Sequence, residues 1–132
     1  MRVLIVDDSA FARQYTKKFI MERYPDAEFL FAANGEQGHE MYLVEKPDYI
    51  ITDLLMPGIG GQAMVDMIRL VDKGSKIIVL SSDIQRSLKE EMAQLGVLEF
   101  INKPLNDENG RVLINVLEGK SNAHSDAKRC AG

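Results

Sequence analysis

Asp7-Asp8, Asp53, Ser81 and Lys103 are the residues of this chain whose types and placement could do chemistry together. Each comes at or just after the end of an apolar run of strand length: Val3 to Val6, Tyr49 to Thr52, Ile77 to Leu80 and Leu98 to Ile101. An aspartate at a strand end is commonly a turn former or a helix cap. It can also be a nucleophile toward phosphorus and form an acyl phosphate, because a strand end is a rigid place from which to present a carboxylate. Three carboxylates brought together repel one another unless a cation joins them. A hard divalent ion with oxygen ligands, Mg²⁺ above all, meets that need. Such an ion would neutralise the oxygens of an incoming phosphoryl group, while Lys103 adds a mobile point charge and Ser81 a hydroxyl donor. The five residues together form a site for a phosphoryl group on Asp53.

The elements that must position these residues alternate along the chain. After the first strand, Ala12, Tyr15, Thr16, Phe19 and Ile20 recur at helical spacing and predict the inner stripe of a helix that ends before Pro25. Phe29 to Ala32 reads as a second strand, and Asn34-Gly35 as the turn into a helix from about Glu36 to Val44, closed by Lys46-Pro47. The strand before Asp53 gives way to a turn built on Pro57, Gly58, Gly60 and Gly61. A third helix follows on Met64, Val65, Ile68 and Val71, running out near Lys73-Gly74. Leu88, Met92 and Leu95 mark a fourth helix closed by Gly96, and a last helix takes in roughly Glu108 to Leu117. Alternating strands and helices with short links predict an α/β fold, a parallel sheet with helices on both sides. In such a sheet the functional crevice lies beyond the carboxyl ends of the strands, where the polar residues fall.

Composition narrows the function classes. A chain of 132 residues with 45% hydrophobic content suits one domain with a proper core. Lys and Arg number 16 against 20 for Asp and Glu, a net charge of -4, which argues against a nucleic-acid binder. The lone Cys130 offers neither an internal disulfide nor a thiolate metal site. The apolar core of the N-terminus is too short for a signal peptide, and no run reaches membrane-spanning length, so a soluble cytoplasmic protein without membrane contact is expected. Residues 119–132 are small and polar and read as a disordered tail or linker stub after a domain of residues 1–118. His39 and His124 have no metal-binding companion at useful spacing, and Met41, Met64, Met67 and Met92 read as core filler. Phe11 falls off the inner stripe of the first helix and is expected to be partly exposed beside the acidic pair.

The ordered set Asp7-Asp8, Asp53 followed by Met56-Pro57-Gly58, Ser81, and Lys103-Pro104 resembles the receiver domain of two-component response regulators, in size the single-domain chemotaxis type. The resemblance covers about residues 1 to 118. It implies a flavodoxin-like (βα)5 three-layer sandwich with a five-stranded parallel sheet in the order 2-1-3-4-5. It assigns Asp53 as phosphoacceptor, served by a sensor histidine kinase or a phosphotransfer protein. Asp8, Asp53 and the backbone carbonyl of Leu55 would bind Mg²⁺, which Mn²⁺ can replace, with Asp7 supporting the metal through water. Lys103 would pair with the phosphoryl group next to a cis peptide bond to Pro104. Ser81 and Phe100 would form the switch, the hydroxyl moving toward the phosphate and the ring turning into the vacated space. The readout face would be the fourth helix, fifth strand and fifth helix, offered to a downstream protein such as a flagellar motor or relay component. The protein would be a monomer or a phosphorylation-dependent dimer. Gly60, Ser82 and Val97 depart from residues common in that family without touching the five site positions. Leu55 and Asp83 flank the places from which family members tune water attack, and so bear on the lifetime of the phosphoryl group.

Other functions fit less well. A haloacid-dehalogenase type phosphatase needs a second Asp two positions after the first, where this chain has Leu55. The chain therefore reads as a phosphoacceptor and not an enzyme, with slow loss of phosphate from its own Asp53. A flavin or nucleotide carrier would want a glycine- and hydroxyl-rich phosphate loop after the first strand, where Asp7-Asp8 would repel a phosphate. A pseudo-receiver that binds partners without being phosphorylated, and a receiver cut from a longer regulator with an output domain, remain as alternatives.

Overall fold

A computed structural model describes residues 1–82 and 85–119. The sequence-based expectations for Asp83, for His124 and Cys130 and for the stretch 120–132 lie outside those residues. Among the described residues five strands form one sheet: β1 (Arg2–Val6), β2 (Glu28–Ala32), β3 (Tyr49–Thr52), β4 (Ile77–Ser81) and β5 (Glu99–Asn102). They alternate with α1 (Ala10–Arg23), α2 (Gly35–Glu45), α3 (Gly61–Val71), α4 (Arg86–Gln94) and α5 (Asp107–Leu117). All pairings are parallel and the strand order is β2-β1-β3-β4-β5, as the resemblance implies.

Why these runs become buried strands is visible in their two-sided packing. Alternate residues of β1, Val3 and Ile5, join Ile51, Ile78, Leu80 and Ile101 on one side of the sheet, against Ile20 of α1 and Leu113, Val116 and Leu117 of α5. Leu4 and Val6 face the other side with Ile50, Ile77 and Val79, against Tyr42 of α2, Met64, Val65 and Ile68 of α3 and Met92 of α4. A strand covered on both faces cannot alternate apolar with polar residues, which explains the unbroken aliphatic runs. Each fully buried Leu or Ile contributes about 1.5–3 kcal/mol. The two layers therefore fix which strand ends lie side by side.

Local signals set the boundaries. Ser9 caps α1 by accepting from the Ala12 N–H at 3.2 Å, and Asn34 caps α2 by accepting from the Gln37 N–H at 2.9 Å. Asn106 and Asn109 exchange side-chain and backbone hydrogen bonds at the start of α5, a capping box. Gly61 opens α3 so close to the end of β3 that a Cβ there would lie 1.9 Å from the Asp53 carbonyl oxygen. Only glycine fits, and α3 is thereby pinned under the site.

Several boundaries move by a few residues. Helix α3 ends at Val71 rather than near Lys73-Gly74, and Val71, whose spacing suggests an inner residue, is 61% exposed in the last turn of the helix. Tyr15 is also largely outside the core: its ring stacks on exposed Phe11 and its hydroxyl donates to the Leu105 carbonyl at 3.1 Å. Strand β5 begins one residue later than the spacing suggests and takes in Asn102.

Candidate functional site

The site sits at the carboxyl ends of β1, β3, β4 and β5. Asp7 and Asp53 follow adjacent strands, and the pairing of Val6 with Thr52 brings their Cα atoms into the same layer. Backbone bonds lock both: the Asp7 N–H donates to Ala32 at 3.0 Å and the Asp53 N–H to Val6 at 2.9 Å. Their side chains are held too. Asp7 Oδ1 accepts from the Ser9 N–H at 3.0 Å, and Asp53 Oδ1 accepts from the N–H groups of Leu54 at 2.7 Å and Leu55 at 3.3 Å.

That arrangement leaves the Oδ2 atoms of both carboxylates free to meet Lys103. Its Nζ lies 2.7 Å from Asp7 Oδ2 and 3.0 Å from Asp53 Oδ2, a double ion pair across the strand ends. Asp7 and Asp53 are only 5% and 8% exposed, so the pair is poorly screened by solvent. Burial pulls the Lys103 ammonium toward a lower pKa, but hydrogen bonds and charge attraction from Asp7 and Asp53 outweigh it and hold the pKa above its ordinary value of 10.5.

Asp8 stands exposed beside them, and one carboxylate oxygen from each of Asp7, Asp8 and Asp53 falls within a 4.8 Å cluster. This all-oxygen donor set, with one open side at Asp8, fits a hard divalent cation such as Mg²⁺. Leu55, whose N–H donates to Asp53 Oδ1, is 58% exposed. Ser81 is fully buried at the end of β4, and its carbonyl accepts from the Lys103 N–H at 3.0 Å. The Lys103–Pro104 peptide bond is cis, as expected. Phe100 lies apart from the carboxylates, half-buried on β5 beside Val79 of β4.

Some residues that shape the site are not evident from spacing alone. Arg13 Nη1 donates to the Asp7 carbonyl at 2.7 Å, which the helical pattern of α1 shows only as an outer-face cation. Asn109 Nδ2 donates to the carbonyls of Asn102 and Pro104 at 2.8 and 3.0 Å and so supports the loop that carries Lys103. The Asn-x-x-Asn capping pattern at 106–109 is the signal that marks it.

The geometry sets two strand-end aspartates, a third carboxylate and a lysine on a cis-proline loop side by side. Residues 3–115 match the response regulator receiver domain family. This chain belongs to that family. It is 37% identical over 103 residues to the chemotaxis protein CheY of Thermotoga maritima, covering 78% of this chain and 85% of that one. It is also 37% identical over 107 residues to a protein-glutamate methylesterase/protein-glutamine glutaminase of Carboxydothermus hydrogenoformans, of which it spans only 30%. Among solved structures, the CheX-CheY-BeF3-Mg complex from Borrelia burgdorferi matches with a TM-score of 0.81 at 27% identity, over 90% of this chain and 88% of the matched chain. The protein is thus a CheY-like receiver domain of two-component signalling. No helix among the described residues is long and apolar enough to cross a membrane.

Proposed function

We propose that this receiver accepts a phosphoryl group on Asp53 from a phosphohistidine of a sensor kinase or phosphotransfer protein, and that the modification changes which protein binds the face made by α4, β5 and α5. The observation that carries the reading is the double ion pair of Lys103 with Asp7 and Asp53, in which a mobile cation already occupies the position a phosphoryl oxygen would need neutralised. In the transfer step an Asp53 carboxylate oxygen forms a bond to phosphorus as the phosphorus–nitrogen bond of the donor breaks. The electron pair goes to the imidazole, which takes a proton from solvent. Hydrolysis reverses the state, with water adding to phosphorus and the aspartate oxygen leaving as carboxylate.

Asp8, Asp53 and the Leu55 carbonyl would hold Mg²⁺ or Mn²⁺, with Asp7 acting through water. The ion, when bound, supplies neutralisation of charge on the phosphoryl oxygens. Lys103 orients the phosphoryl group, the two N–H donors on Asp53 Oδ1 fix the attacking carboxylate, and the Ser81 hydroxyl is drawn to the modified group. Phe100 then turns inward and changes the outer surface. In this reading the chain is a cytoplasmic switch whose target is a protein such as a motor or relay component, not an enzyme acting on external substrates and not a nucleic-acid binder. It works as a monomer or as a dimer formed on phosphorylation. Leu55 and Asp83 would tune the lifetime of the phosphoryl group.

Incubation with Mg²⁺ and acetyl phosphate tests the reading. Labelling that is lost in Asp53→Asn and in excess chelator is the expected result. No label on the wild-type chain would support the pseudo-receiver instead.

A further inference from the structure

Helix α4 reaches β5 through one side chain whose geometry the phosphoacceptor chemistry does not require. Lys89 Nζ lies 5.5 Å from the centre of the Phe100 ring and donates to Asn102 Oδ1 at 3.3 Å. Phe100 and Asn102 alternate along β5 and share a sheet face. Asn102 is the register partner of Ser81 on β4, and Phe100 that of Val79. The Asn102 carbonyl in turn accepts from Asn109 Nδ2 of α5. One ammonium therefore ties together α4, two residues of β5 and, through Asn102, the loop into α5.

This tie keeps a local cost in place. With Oδ1 turned to Lys89, the buried Nδ2 of Asn102 has no hydrogen-bond partner among the described residues. Flipping the amide would set an N–H group against the ammonium, so the cation dictates the orientation that strands the donor. A buried donor left without a partner destabilises the arrangement that contains it.

We infer that Lys89 is a positioning residue that holds the Phe100 ring in its present place under α4 and Asn102 beside Ser81, and so sets how readily phosphorylation turns the α4-β5-α5 face. The inference rests on the reading of Asp53 as phosphoacceptor and of Phe100 as the moving ring. Its physical content is a differential interaction. The cation sits over the ring in the unphosphorylated arrangement described here and loses that contact when the ring turns away, so removing the charge shifts the population toward the turned, inward arrangement. If the reactive geometry at Asp53 belongs to the inward arrangement, the labelling rate scales with the fraction of chains in it, and a chain already part-way there accepts phosphate faster.

The full chain carrying 4-fluorophenylalanine at Phe100 provides the test by fluorine NMR, with labelling of Asp53 by acetyl phosphate measured in parallel. Lys89→Met, which keeps the aliphatic stem and drops the charge, is expected to move the unphosphorylated resonance toward its beryllofluoride–Mg²⁺ position and to speed labelling about three- to tenfold. Lys89→Arg keeps a cation on the ring and is expected to behave as wild type. A general packing role would instead appear as an equal loss of melting temperature in both variants with no movement of the resonance, and would overturn the inference. So would a Lys89→Met labelling rate within about twofold of wild type. If the wild-type chain takes no label on Asp53, the phosphoacceptor reading itself falls and this inference falls with it. A labelled wild type whose resonance is indifferent to Lys89 sinks the inference alone.

Discussion

The carboxylate site and the α4-β5 region lie at neighbouring strand ends but are built in opposite ways. Asp7 and Asp53 are fixed by backbone bonds on adjacent central strands, by N–H donors on their Oδ1 atoms and by a shared lysine on Oδ2. Phe100 and Asn102 lie on an edge strand, joined to α4 by a cation on a ring and by an amide with one donor left without a partner among the described residues. Phosphoryl transfer gains from groups already in place, because positioning is most of what the protein supplies. A switch gains from two arrangements close in free energy, because a ligand moves an equilibrium only by its differential affinity. Under the proposed function, rigidity at one place and near-balance at the other would be two halves of a single device.

The sharpest way to break the contrast is at Asp53, the proposed acceptor. Asp53→Asn should reduce acetyl phosphate labelling to background while the chain stays folded, as judged by circular dichroism; residual labelling at the wild-type level would mean that another side chain is modified. Next in size is Gly61→Ala. The added Cβ would sit 1.9 Å from the Asp53 carbonyl oxygen, a backbone atom that cannot step aside. A loss of about 3 kcal/mol is expected in urea unfolding. Loss of only a few tenths would show that α3 can slide away from β3, and the site would not be rigid.

Lys103→Met probes the electrostatic half of that rigidity. It leaves Asp7 and Asp53 close together with no cation, and the Mg²⁺-free protein should lose about 1–2 kcal/mol, with Mg²⁺ restoring more stability to the variant than to wild type. The pH dependence has a definite direction. The folded-state pKa of Lys103 is raised above 10.5, so its ion pairs contribute fully below that value and the contribution fades as pH climbs through the folded value. The stability gap between wild type and Lys103→Met should be flat at neutral pH and close in the alkaline range. A gap that closes on acidification alone would point to the carboxylates instead. Smallest in stability is Lys89→Met, expected to cost no more than about 1 kcal/mol even as it shifts the Phe100 ring. A larger loss would place the α4-β5 contact among the rigid parts of the fold.

Much of the site was legible before any coordinates. Aliphatic runs ending in Asp7-Asp8, Asp53 and Ser81, and Lys103 ahead of Pro104, are local signals, and the chain places all of them at one end of the sheet. Tyr15 and Val71 depart from what their spacing suggests for a common reason. Helical spacing tells which residues share a face but not how far that face extends over the sheet, so residues near its margins read as core. Phe11, by contrast, lies off the stripe and is 80% exposed as its spacing suggests.

What the sequence determined by itself is the alternation of elements, the residue types at the strand ends and hence the chemistry available, since these follow from periodicity and side-chain identity. What the tertiary structure decided is which oxygens meet Lys103, that Arg13 and Asn109 brace the strand ends, and that Lys89 rests on Phe100. Those contacts join residues far apart along the chain, and their distances depend on how the two packed layers set one strand end beside another, which no local pattern encodes.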